Sequence, residues 1–137
     1  MTKDELEKFA TQYTAAWCSQ DASSVASFFG INGSLTINDG EPSVGRHAIT
    51  AAAQGFMTAF PDLVIRMDGL GFEGDHVIYR WTLTGTNSGP GGTGNAVRIN
   101  GFEKWTMGAD GLVAESSGNF NAEEYERQLV GGPSGPN

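Results

Sequence analysis

The sequence predicts an α+β domain: a curved antiparallel sheet with its helices gathered on one face. Three observations carry that prediction. Apolar residues recur at helical spacing through the first sixty positions, the period changes to two from Leu63 onward, and 20 glycines supply turns, bulges and loops beyond ordinary usage. A chain of 137 residues can bury a hydrophobic core without disulfides or metals, so one domain over 1–130 is expected.

Thr2 followed by Glu5 is a capping-box pattern, and Leu6, Phe9, Ala10, Tyr13, Ala16 and Trp17 repeat at helical spacing, predicting a first helix over 3–19. Asp21 reads as the N-cap of a short second helix with Val25, Phe28 and Phe29 on its apolar stripe, ended by Gly30 and the turn-rich residues after it. Ser34 to Ile37 alternates like a strand, and Asn38 to Pro42 reads as a turn. A third helix is predicted over 46–60, with Ile49, Ala52, Ala53, Phe56, Met57 and Phe60 on one face and Pro61 closing it.

Four runs of period two follow, at 63–72, 76–86, 96–107 and 112–119, and the turn signals at 73–75 and 109–111 make their neighbours antiparallel hairpins. The glycine-rich stretch 88–94 predicts a mobile loop at one end of the sheet. A last helix over 122–129 carries Tyr125 and Leu129, and 131–137 reads as a disordered tail. A long twisted sheet curls, and helices closing over it leave room for a pocket.

Charge and composition exclude several classes of function. Sixteen acidic against eight basic residues, a net charge of −8, oppose binding to nucleic acid or to an anionic membrane surface. The charged N-terminus lacks a signal peptide's apolar core and no apolar run is long enough to span a bilayer, so a cytoplasmic location is expected. Cys18 is the single cysteine, which fits a reducing compartment and reads as a small apolar residue. His47 and His76 have no partners at ligand spacing and no phosphate-binding loop is present, so neither a metal nor another cofactor is expected.

Strand alternation singles out one acidic residue. Val77, Tyr79, Trp81 and Leu83 share one face of their strand, leaving Arg80 on the other; Val97, Ile99, Glu103, Trp105 and Met107 share a face of the next. Glu103 is thus a carboxyl group within an apolar, aromatic set, where a raised pKa suits an acid or base working near neutral pH. Glu115 on the last strand has weaker neighbours, and Asp62 reads as pinning the turn after the third helix. Tyr13, Trp17, Phe56, Phe60, Trp81 and Trp105 read individually as core and collectively as the walls of a pocket for a flat or ring-shaped ligand.

The order of elements, with GlyArgHisAlaIle at 45–49, PheProAspLeu at 60–63, the ThrGlyThr-loop-Gly stretch at 84–92 and GluArgGlnLeu at 126–129, resembles the SnoaL-like polyketide-cyclase branch of the NTF2-like superfamily. The resemblance implies a cone of curved sheet wrapped by about three helices, frequently dimeric through the sheet, in a superfamily of isomerases, cyclases, epoxide hydrolases and binding proteins. Such cyclases use an aspartate after the last strand, and the matching position here is Asn121 or Asn119, neither of which transfers a proton as a carboxylate does. In isomerase-like relatives a first-helix tyrosine matches Tyr13, and the catalytic aspartate falls on Ile37, with Asp39 two residues beyond. The Arg-x-Asp of the epoxide hydrolases is replaced by Arg80-Trp81-Thr82.

Three functional readings follow. In the first the domain binds a small apolar ligand, with Asn119 and Asn121 offering hydrogen bonds. In the second it is a cofactor-free isomerase or cyclase in which Glu103 or Asp39 abstracts a proton from a carbonyl-bearing ring compound and Tyr13 stabilises the enolate; a buried carboxylate within reach of Tyr13 would favour it. In the third a cavity filled by Trp81, Trp105 and Met107 leaves only a homodimeric scaffold.

Overall fold

A computed structural model describes residues 1–132. In chain order the elements are α1 (Lys3–Cys18), α2 (Ala22–Ala26), β1 (Phe29–Ile37), β2 (Ser43–Val44), α3 (Arg46–Ala59), β3 (Val64–Glu73), β4 (His76–Thr86), β5 (Ala96–Met107), β6 (Val113–Phe120) and α4 (Ala122–Gly131). The six strands form one curved sheet in the order β2-β1-β6-β5-β4-β3; β1 and β6 run parallel and every other neighbouring pair is antiparallel.

The helix starts follow local chemistry. The Thr2 hydroxyl accepts from Glu5 N (3.1 Å) while the Glu5 carboxylate accepts from Thr2 N (2.7 Å), and α1 buries the predicted stripe from Leu6 to Trp17. Asp21 caps α2 by accepting from Ser23 N at 3.1 Å. Asp62 accepts from Thr86 N at 2.7 Å, tying the turn after α3 to the end of β4.

Several boundaries differ from the sequence expectation. Phe29 lies outside the second helix, which ends at Ala26; it opens β1, fully buried and paired with Val113. The asparagine and glycines after it mark an irregularity in the β1–β6 register between Phe29 and Ser34 rather than a turn. Ser43 and Val44, expected beyond a turn, make a two-residue edge strand against Leu35 and Ser34. The last helix continues through Gly131, inside the stretch expected to be a tail, and the rest of that stretch, 133–137, lies outside the described residues. The 88–94 loop is anchored: buried Asn87 donates to Ala59 O (3.2 Å) and accepts from Thr93 N (2.8 Å), and Gly89 N donates to Ala59 O.

Side-chain parity places the core on the concave face, with Tyr79, Trp81, Leu83, Val97, Ile99, Glu103 and Trp105 all buried. Arg80 is exposed, on the outer side. On β3 the register slips between Met67 and Gly69, leaving Asp68 as a bulged residue, so Ile65 and Met67 face inward before the slip and Leu70 faces inward after it. α4 covers the part of β5 that β6 does not reach: Gln128 Oε1 accepts from Arg98 N at 2.6 Å, and Asn95 donates to the carbonyls of Leu129 (2.8 Å) and Val130 (2.9 Å). No helix among the described residues is long and apolar enough to cross a membrane.

Candidate functional site

Between the concave face and the helices lies a cavity of about 60 Å³. Trp17 of α1 and Phe56 of α3 wall one side, Tyr79, Trp81 and Phe120 of the sheet the other, and aliphatic side chains including Leu35, Ile65 and Ile99 fill the gaps. The volume is less than half of the roughly 150 Å³ that accommodates benzene in a dry protein cavity, so a ring-sized occupant requires side chains to move. Phe56 is only half-buried and packs edge-on against Trp17 at 6.3 Å.

One charged side chain lines this cavity, Glu103. Its strand neighbours put it there: on β5 it lies opposite Tyr79 of β4 and Gly118 of β6, and Gly118 leaves space over it. Trp105 Nε1 donates to Glu103 Oε1 at 2.9 Å and Ser116 Oγ donates to the same oxygen at 2.8 Å. The Tyr13 hydroxyl lies 3.1 Å from both carboxyl oxygens. Oε1 is thus saturated, whereas Oε2 meets Tyr13 alone and keeps accepting capacity.

No cation balances this carboxyl group: the ion pairs among the described residues are Arg66–Asp68, Lys104–Glu73 and Arg127–Glu124. Burial disfavours the charged form and raises the Glu103 pKa, against the opposing hydrogen bonds from Trp105, Ser116 and Tyr13. Burial likewise pushes Tyr13 well above its ordinary value, and the neighbouring Glu103 charge adds to the effect. The arrangement is a carboxyl group that holds its proton to higher pH than a surface glutamate does.

The sequence-predicted residues fall at different distances from the cavity. Trp17, Phe56, Trp81 and Glu103 line the cavity, and Tyr13 stands one hydrogen bond behind Glu103. Trp105 is fully buried outside the lining, stacked on Tyr79 at 5.0 Å, and serves as a donor to Glu103. Phe60 is fully buried against Tyr125 at 6.3 Å and does not reach the cavity. Asn119 and Asn121 do not line it either: the Asn119 amide points to Ser117 O at 3.4 Å, and Asn121 is the N-cap of α4, accepting from Glu124 N at 3.0 Å. Asp39 is exposed in the turn after β1, outside the lining, which removes it from the candidate bases here, and Glu115 is exposed as well.

Ser116, Tyr79 and Phe120 were not singled out from sequence. Tyr79 belongs to the predicted inward set, and its hydroxyl pairs with that of Thr14. Ser116 was hidden because β6 slips register near Ala114, which breaks simple alternation; its one signal is a small polar residue cross-strand from Trp105. Among the described residues no three His, Cys, Asp or Glu side chains gather as metal ligands.

An NTF2-like cone with a carboxyl-bearing aromatic cavity defines the class, and the comparisons fix the family. The SnoaL-like domain family matches residues 10–116, and the chain belongs to that family. No curated protein matches the sequence. Among solved structures, AclR from Streptomyces galilaeus, described as a candidate hydroxylase, is 26% identical with a TM-score of 0.78, over 93% of this chain and 82% of that one. A candidate SnoaL-like polyketide cyclase from Jannaschia sp. CCS1 is 21% identical with a TM-score of 0.78, over 95% and 93% of the two chains. A protein of ketosteroid isomerase-like fold from Catenulispora acidiphila, in complex with trimethylamine, is 14% identical with a TM-score of 0.77, over 94% of each.

Proposed function

We propose that this SnoaL-like domain binds a small, largely apolar ring-type molecule in the concave cavity, with the Glu103 carboxyl group as its polar anchor. The observation that carries the reading is a buried carboxyl group, one of whose oxygens accepts from Tyr13 alone, on a residue that lines an otherwise apolar, aromatic cavity. Apolar walls supply affinity and a single polar group supplies orientation, which is the usual division in small-molecule sites. The trimethylamine held by the Catenulispora protein supports a small occupant for this fold. The apolar side chains of Val64 and Phe102 exposed on the outer sheet face suit a homodimer, and a lone cysteine suits the cytoplasm. Native mass spectrometry before and after incubation with a small-molecule extract of the source organism tests the reading. A retained adduct that is lost in Trp81→Ala supports it; unmodified protein across extracts overturns it.

The Tyr13–Glu103 hydrogen bond favours a second reading, a cofactor-free isomerase or cyclase in which Glu103 Oε2 abstracts an acidic proton from a carbonyl-bearing ring compound. Tyr13 then positions and tunes the base, because its hydroxyl is committed to Glu103. Deuterium exchange at the α-carbon of a cyclic ketone, accelerated by wild type and not by Glu103→Gln, is the expected result; equal exchange with both proteins discards this reading.

A further inference from the structure

The same cavity carries a narrower assignment, which rests on the ligand-binding reading above. Its one ionisable lining group besides Tyr79 is a carboxyl without a counter-ion among the described residues; Trp105 and Ser116 both donate to Oε1, and Oε2 has only the Tyr13 hydroxyl, which it shares with Oε1. A buried carboxylate without a cation is costly, and three hydrogen bonds repay that cost only in part. The remaining walls are aromatic faces, whose quadrupoles attract cations, and no lysine, arginine or histidine lines the space to repel one. A volume of about 60 Å³ admits only a few heavy atoms without rearrangement.

We infer that the occupant is a small alkyl- or cycloalkylammonium ion, donating its N–H to Glu103 Oε2 while its carbon body packs among Trp17, Phe56, Tyr79, Trp81 and Phe120. Binding carries a proton balance. Where Glu103 is protonated in the empty cavity, the arriving ammonium keeps its own proton and the carboxyl proton leaves to solvent, so the site becomes a carboxylate–ammonium pair. The titratable side chains facing Glu103 from the packed elements are Tyr13 of α1 and Tyr79 of β4; both are raised above their ordinary value, chiefly by burial, so neither titrates near neutral pH. β6 presents Ser116 and Gly118 there, which carry no charge. Ammonium affinity therefore falls as pH drops through the raised Glu103 pKa.

Two isosteric five-membered rings test the assignment by NMR titration of the full chain: pyrrolidinium, a cation, and tetrahydrofuran, a neutral hydrogen-bond acceptor. The expected result is that pyrrolidinium binds at least about tenfold tighter at neutral pH, shifting amides of β4, β5 and α3, and that the preference vanishes in Glu103→Gln. In wild type the preference should shrink as pH is lowered, an arm that needs no variant to fold. Equal affinity for the two rings, or a preference that survives Glu103→Gln, overturns the ammonium assignment while leaving the pocket itself intact. Binding of neither ring overturns the assignment and counts against the ligand-binding reading as well.

Discussion

Two acidic residues on the same sheet, Glu103 and Asp68, have opposite fates. Asp68 occupies the bulge of β3 at the surface, where the Thr82 hydroxyl (2.5 Å) and then Arg66 Nε (2.8 Å) hold its pKa below the usual value. Glu103 receives hydroxyl and indole donors too, yet burial outweighs them and its pKa rises. Hydrogen-bond donors are common to both sites, so they do not decide the outcome. Access to water and a cation decide it, and that is why the candidate chemistry lies on the concave face.

Each carboxyl group has a glycine nearby, and the two glycines should respond in opposite ways. A Cβ at Gly101 would sit 2.2 Å from Asn119 O and 2.7 Å from the Trp81 ring, so Gly101 is what lets the indole that walls the cavity lie flat over β5. Gly101→Ala is expected to cost about 2–3 kcal/mol in urea unfolding and to displace Trp81. A Cβ at Gly69, beside Asp68, meets nothing within 4 Å, so Gly69→Ala should be neutral or stabilising by a few tenths of a kcal/mol. If the two substitutions cost the same, the concave face is not the tightly fitted one.

Removing the carboxyl groups themselves sharpens the contrast. Glu103→Ala strands the buried donors of Trp105, Ser116 and Tyr13 and should cost about 2 kcal/mol, whereas Asp68→Ala breaks a surface pair and should cost about 1 kcal/mol or less. The pH dependence of unfolding should separate them by sign. Glu103, raised in the folded state above 4.5, gives greatest stability below that value, and stability declines as pH climbs through its folded pKa. Asp68, lowered from 3.8, stabilises above that value, and the gain is lost as pH falls through its folded pKa. Glu103→Gln should flatten the decline on the alkaline side of pH 4.5 and leave the acid limb unchanged; a wild-type curve already flat there contradicts the picture of Glu103 as a costly buried acid.

Periodicity revealed the fold because its long elements are regular: α1, α3, β4 and β5 each keep one period from end to end. Glu103 was legible for the same reason, as the one acid in an alternating apolar set. What periodicity could not show depends on broken alternation. The slips at Asp68, between Phe29 and Ser34, and near Ala114 change which residues face inward, so spacing alone hides Ser116 and assigns Phe29 to a helix. Trp105 and Phe60 face the core as expected, yet whether a core side chain touches a cavity or another ring depends on packing depth, which spacing along the chain does not encode.

Asn121 offers the smallest effect and a direct check on arguing from a family position. Its side chain caps α4 by accepting from Glu124 N, and it stands apart from the cavity that Glu103 lines. Aspartate caps a helix as well as asparagine does, and its charge suits the helix N-terminus, while Glu123 and Glu124 in the same turn offset part of that gain. Asn121→Asp is therefore expected to change stability by no more than about 0.5 kcal/mol, to leave ligand affinity in the cavity unaltered, and to confer no turnover on a cyclase-type substrate. A gain of turnover would move the reactive centre from the concave cavity to the α4 end of the sheet, and Glu103 would then be a structural acid like any other buried one.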